Sequence, residues 1–192
     1  GDAANLVRTV NGLDPTAFPS VPAMERDVVA FAKRMLHGGR GVVGTITSGG
    51  TESCLLAVKT ARDLWRAEDP ESRANLRPRL VAPLTAHAAF QKAAHYFELD
   101  LDLVPVARDG SVSAADIIRR LDEDVALVVV SAPSYPTAAL DPIAEVARAA
   151  GARGISCHVD ACIGGFALPW WPALPMWDLR TPGVTSMSAD LH

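Results

Sequence analysis

The stretch ALVVVSA (126–132) is an apolar run broken only by Ser131. A strand with one face in water alternates apolar and polar residues, whereas a run this short and uniform fits a strand buried on both faces of a parallel sheet. Such a strand needs helices above and below it, so its flanks should alternate between helical and extended patterns.

The flanking sequence has that alternation. Downstream, Asp141-Pro142 offers an N-cap and a first-turn proline, and Gly151 a stop, for a helix between them. ISCHVDA (155–161) and GVTSMSA (183–189) are two further strand candidates. Upstream, Ser113 and Asp116 form a capping box for a helix through Leu121, and DLDLVPVA (100–107) alternates as a strand. Phe90, Ala93, Ala94 and Phe97 mark a helix that follows the strand RLVAPL (79–84). A polar loop, AEDPESRANLRP (67–78), separates that strand from a helix over SCLLAVKTARDLWR (53–66), with Leu55, Val58, Ala61 and Trp65 on one side. GVVGTITS (41–48) reads as a strand or an extended lead-in, and Met24, Val28, Phe31 and Met35 set a helix that stops at Gly38-Gly39. The pattern predicts an α/β fold, a mostly parallel sheet with helices on both faces, without internal repeats or a second complete domain.

Composition narrows the function. The 192 residues are 49% hydrophobic and 21% charged, as in ordinary globular proteins. A net charge of -4, a pI near 5.7 and singly scattered arginines provide no footprint for nucleic acid. Three cysteines make no disulfide framework, which points to a reducing, cytoplasmic setting. No apolar run reaches the roughly 20 residues of a membrane span. The first methionine is Met24, in mid-helix pattern, so a preceding segment that could hold a membrane anchor is expected.

Ligands of such sheets sit beyond the carboxyl ends of the strands, and three segments there carry chemistry. TSGGTES (47–53) joins an extended segment to a helix: its glycines allow close backbone approach, and the first-turn amides with Thr51 offer donors to an anion. A plain capped turn reads equally well, and no Lys follows to make a Walker loop. Gly39, Gly41 and Gly44 match G-x-G-x-x-G but run from helix into strand, the reverse of the dinucleotide-binding context. His87 opens a helix just after a strand, where it can cap, pack or cover a flat ligand; His95, in the helix body, reads as structural. In CHVDACIGGF (157–166), His158, Asp160 and Cys162 share one strand face and Cys157 and Val159 the other, which argues against zinc. Asp160 ends an apolar strand and needs a cationic or hydrogen-bonding partner, which a ring nitrogen could supply. TSMSADLH (185–192) sets Ser186, Ser188, Asp190 and His192 at another strand exit.

In this order, NGLDPTAFPSVPAMERDVVAFAK, GTITSGGTESCLLAVKTARD, TAHAAFQKAAHYF, SAPSYPTAALDPIAEVA, HVDACIGGF and GVTSMSADLH resemble the pyridoxal-phosphate-dependent lyases of the group II decarboxylase superfamily, most closely the sphingosine-1-phosphate lyase family. The resemblance implies the cofactor pyridoxal 5'-phosphate, with Gly50 and Thr51 at its phosphate, His87 stacked on the ring and Asp160 paired with the ring nitrogen. It further implies Cys162 behind the ring, Ser134 near the ring hydroxyl and His192 near the phosphate; Ser188, at the strand exit where a phosphate or substrate could be met, is expected among the cofactor-binding residues. His87 and Asp160 would be the catalytic residues, and the Schiff-base lysine is expected directly after His192. Lys33, Lys59 and Lys92 lack that lysine's context. The implied reaction is retro-aldol cleavage of a phosphorylated long-chain amino alcohol to a fatty aldehyde and phosphoethanolamine. A decarboxylase acting on amino acids would share the cofactor residues and is the alternative. The resemblance also implies a homodimer with the site at its interface, residues 1–40 as a segment packed on the large domain, and 41–192 as the cofactor-binding part of that domain.

Overall fold

The computed structural model of the chain describes residues 1–10 and 14–191. Its centre is a five-stranded sheet in the order β2-β1-β3-β4-β5, with every pairing parallel. The strands are β1 (Arg79–Pro83), β2 (Asp100–Val104), β3 (Val125–Ser131), β4 (Ser156–Asp160) and β5 (Ser186–Ser188). Seven α-helices are described: α1 (Asp2–Val7), α2 (Ser20–Met35), α3 (Gly50–Glu68), α4 (Pro70–Arg73), α5 (Ala88–Phe97), α6 (Ala114–Ile118) and α7 (Ile143–Gly151).

The opening run behaves as its composition requires, since every residue of β3 is buried. Its alternate side chains feed two cores. Val128 and Val130 pack with Val81, Cys157 and Val159 toward α6 and α7, where Ile117, Val146 and Ala147 meet them. Leu127 and Val129 pack with Leu80 and Ala82 toward α3 and α5, against Val58, Ala61, Phe90 and Ala93. Each such valine or leucine contributes about 1.5–3 kcal/mol of transfer free energy, and this double burial holds β3 at the centre of the sheet.

The strand order reverses at β1. The chain steps outward from β1 to β2, then crosses back to β3 on the other side, and the carboxyl ends of β1 and β3 flank a crevice. On the far side, α2 is fastened by a stacked Phe31–Phe166 pair 6.1 Å apart and by Lys33 Nζ, which donates to the carbonyl of Val42 at 2.7 Å.

Four local expectations change. The 41–48 segment is the extended lead-in and pairs as no strand among the described residues; a groove of about 1060 Å³ separates it from β5. The 67–78 loop contains α4, opened by Pro70 and capped by Asp69, which accepts from the Ser72 amide at 3.2 Å. Helix α6 stops at Ile118 rather than Leu121, because the amides of Arg120 and Leu121 turn to carbonyls three residues back and tighten the last turn. Asp141 does not cap α7. Its carboxylate bends back to accept the Ser131 amide at 2.7 Å, and Pro142 occupies the cap position.

Candidate active site

The strand ends converge on a cavity of about 300 Å³ lined by Gly50, Thr51, Cys54, His87 and Asp160, with Cys162 and Asp190 at its wall. Pro133, Tyr135 and Ile163 complete the lining. The sheet topology delivers these groups: His87 follows β1, Pro133 and Tyr135 follow β3, Asp160 ends β4, and Asp190 follows β5.

Gly50 is the first residue of the 19-residue helix α3, whose N-terminal amides carry the positive end of the helix dipole. A Cβ at this position would lie 2.5 Å from Asp190 Oδ2 and 2.8 Å from Cys162 Sγ, so with any other residue these two side-chain ends would have to turn aside from the start of the helix. Thr51 is exposed beside it. Glu52 accepts the Ser48 amide at 2.6 Å, and these Ser48 hydrogen bonds hold its carboxyl below the usual range. The turn after β4 is equally tight, because a Cβ on Gly164 would meet the Ala132 carbonyl oxygen at 2.1 Å.

Asp160 is 8% exposed, and its Oδ1 accepts from the Cys162 amide at 3.1 Å and the Ser188 hydroxyl at 3.3 Å. His87 is exposed at the N-cap of α5, where Nδ1 accepts the Ala89 amide at 3.2 Å and the ring meets Tyr135 edge-on. Capping and cavity-lining, read from the sequence as alternatives, are therefore held by one side chain.

Sulfur collects at the inner wall. Donor atoms of Cys54, Asp160 and Cys162 all lie within 4.8 Å of one another. A hydrogen bond from Cys162 lowers the Cys54 thiol to about 6 against the cost of burial, and raises that of Cys162 in turn, helped by burial and the nearby Asp160 charge. Cys157 faces the opposite core, as strand alternation predicts, and burial pushes its thiol up to about 12.

The structure thus brings Gly50, Thr51, His87, Asp160 and Cys162 to one cavity. Ser188 sits just behind it, buried against Asp160 and Cys162. Ser134 is buried in the turn after β3, its hydroxyl 2.6 Å from that of Thr137, while its neighbours Pro133 and Tyr135 line the cavity. His192 lies outside the described residues. His95 is exposed on α5 with its ring against Tyr96. Lys33, Lys59 and Lys92 are engaged elsewhere, with backbone carbonyls, Asp63 and the Tyr96 ring respectively. Cys54 and Tyr135 were not picked out from the sequence. Cys54 lies four residues, one helical turn, after Gly50, and that spacing was the available signal.

The pyridoxal-dependent decarboxylase conserved domain matches residues 3–192. The sphingosine-1-phosphate lyase of Dictyostelium discoideum is 40% identical over 198 residues, covering 100% of this chain and 36% of the relative. Sphingosine-1-phosphate lyase 1 of Rattus norvegicus is 40% identical over 187 residues, 95% of this chain and 32% of its own length. The chain therefore spans about a third of the length of these curated relatives. The solved sphingosine-1-phosphate lyase of Burkholderia pseudomallei superposes with a TM-score of 0.90 at 36% identity, over 100% of this chain and 46% of that one. A glutamate decarboxylase of Lactobacillus brevis shares the fold, with a TM-score of 0.86 at 23% identity over 100% of this chain and 47% of that one. By the match along nearly its whole length, this chain belongs to the pyridoxal-dependent decarboxylase family.

Proposed function

We propose that the protein is a pyridoxal-phosphate-dependent carbon–carbon lyase that cleaves a phosphorylated long-chain amino alcohol of the sphingosine-1-phosphate type to a fatty aldehyde and phosphoethanolamine. The observation that carries this reading is the single cavity at the strand ends, where a glycine-opened helix N-terminus, an aromatic cap and a buried carboxylate face one space.

These residues fit the cofactor. The amides at Gly50 and Thr51, at the positive end of α3, suit its phosphate, and the cradle at Gly50 would be filled by any side chain. Asp160 Oδ1 is already occupied by two donors, which leaves Oδ2 for a protonated ring nitrogen. The His87 ring, held by its bond to the Ala89 amide, can cover one face of the ring. The cofactor would supply an electron sink for the pair released when the Cα–Cβ bond breaks.

The lyase is favoured over the amino-acid decarboxylase by identity, about 40% to lyases over the chain against 23% to the glutamate decarboxylase. Purified full-length protein should be yellow, with an absorbance band that borohydride removes, and should release aldehyde from sphingosine-1-phosphate. Carbon dioxide from aromatic or acidic amino acids, without aldehyde from the lipid, would decide for the decarboxylase. A homodimer with the site at its interface and a cytoplasmic location belong to the same proposal, to be read from sedimentation and cell fractionation. Among the described residues, no helix is long and apolar enough to cross a membrane.

A further inference from the structure

Behind Asp160 lies a largely buried chain of polar side chains, half-buried only at Ser186, that cofactor contact does not account for. The pairing of β4 with β5 aligns His158 with Ser186 and Asp160 with Ser188. Residues two apart on a strand share a face, so these four side chains form a block beneath the start of α3. The His158 ring bridges the two serines, with Nδ1 2.9 Å from Ser186 Oγ and Nε2 3.2 Å from Ser188 Oγ. Ser188 Oγ in turn lies 3.3 Å from Asp160 Oδ1. His158 is 1% exposed and Ser188 3%, and the Phe90 ring, 5.8 Å away, packs against the imidazole.

With one hydrogen on the imidazole, this chain has one arrangement in which every link is satisfied. A serine hydroxyl has a single hydrogen. If Ser188 gives its hydrogen to Asp160, its oxygen must accept, and the Nε2–H of His158 at 3.2 Å is in place to donate beside the Cys162 thiol at 3.3 Å. His158 Nδ1 then carries no hydrogen and accepts from the Ser186 hydroxyl. The reverse arrangement turns the Ser188 hydrogen onto His158 and leaves Asp160 Oδ1 with the Cys162 amide alone. In a buried site, where an unmade bond to a carboxylate is costly, the first arrangement is favoured.

We propose that His158 and Ser188 are positioning residues for Asp160: the imidazole aims the Ser188 hydroxyl at Asp160 Oδ1 and so fixes the carboxylate with its other oxygen toward the ring nitrogen of the cofactor. The inference rests on the functional reading above. It assigns His158 a role distinct from direct contact, since His158 borders the larger groove and not the smaller cavity, whose Asp160 it reaches through Ser188.

The test uses full-length protein freed of cofactor, with pyridoxal phosphate affinity measured by fluorescence titration and ring-nitrogen protonation by NMR of ¹⁵N-labelled cofactor. His158→Leu and Ser188→Ala should each weaken binding about tenfold and move the nitrogen signal toward the unprotonated position. The double variant should be no worse than either single one, because both break the same chain. His158→Gln, whose side-chain amide can still donate to Ser188, should behave like the unaltered protein. His158→Leu with unchanged affinity and an unmoved signal overturns the proposal, as do losses that multiply in the double variant. If His158→Leu does not fold, Ser188→Ala, which removes one oxygen, decides by the same two readings. Failure of the unaltered protein to bind pyridoxal phosphate overturns the functional reading and this inference together; normal binding with unaffected variants overturns this inference alone.

Discussion

The rings of His87 and Tyr135 meet edge-on, with centroids 6.3 Å apart, at the mouth of the cavity between the ends of β1 and β3. The same imidazole holds the first turn of α5 through the Ala89 amide, so stability and ligand binding draw on one side chain and can be separated by substitution. His87→Ala should lose about 1 kcal/mol of stability with the cap and should also weaken cofactor binding. His87→Asn keeps an oxygen acceptor at the N-cap, so its melting temperature should return toward that of the unaltered protein while its cofactor affinity stays low. Equal recovery of both properties in the asparagine variant would show that His87 only caps.

Asp141 gives the molecule a pH dependence of definite sign. Burial raises its carboxyl to about 6 from 3.8, aided by the Asp160 charge and opposed by the Ser131 amide. The folded state therefore binds the proton more tightly than the unfolded one. The resulting stabilisation is fully present below pH 3.8 and lost as pH rises through about 6, on the order of 3 kcal/mol in all. Asp141→Asn should remove this component. Denaturation midpoints of the two proteins, followed from acid to neutral pH, should diverge across that window with the variant gaining relative to the parent; parallel curves would refute the assignment.

The same residue shows where the sequence stops being legible. Asp-Pro before an apolar stretch satisfies the rule for a helix start, yet the carboxylate turns to β3, because the last amide of a fully buried strand also needs an acceptor. Strands β1 and β3 were legible because burial on both faces leaves a mostly apolar run, and the placement of His87 and Asp160 followed from the rule that ligands gather at strand ends. GVVGTITS has the β-branched content of a strand but pairs with none among the described residues, and pairing depends on neighbours that the local sequence does not contain. Cys54 and Tyr135 were hidden for the same reason: one reads as a core position of α3 and the other as a loop residue, and tertiary packing alone brings them to the cavity.

Gly50→Ala tests the close approach of α3 to the strand exits. The added methyl would stand well inside contact distance of Asp190 Oδ2 and Cys162 Sγ. Both atoms are side-chain ends that can turn aside, so the fold should lose little, but their displacement disturbs the wall that would receive the phosphate. Cofactor affinity should fall at least about tenfold, with the far-ultraviolet circular dichroism unchanged. An alanine variant with normal affinity would mean that the helix shifts freely and that its N-terminus does not grip the phosphate.

Asp160 provides the strictest test of the proposed chemistry. Removing its side chain in Asp160→Ala strands the Ser188 hydroxyl and the Cys162 amide, at about 1–3 kcal/mol for a buried unpaired group. The fold should survive that loss, but turnover should almost vanish. Asp160→Asn is the sharper variant, because its amide oxygen can keep both hydrogen bonds at the same volume while the NH₂ group faces the cavity as a donor. A donor there opposes a protonated ring nitrogen, and the charge that stabilises it is gone. Turnover of sphingosine-1-phosphate should therefore drop on the order of a thousandfold, with a melting temperature close to that of the unaltered protein. Near-normal turnover in Asp160→Asn would show that the carboxylate charge is not what sustains the electron sink, and the assignment of Asp160 to the ring nitrogen would fall.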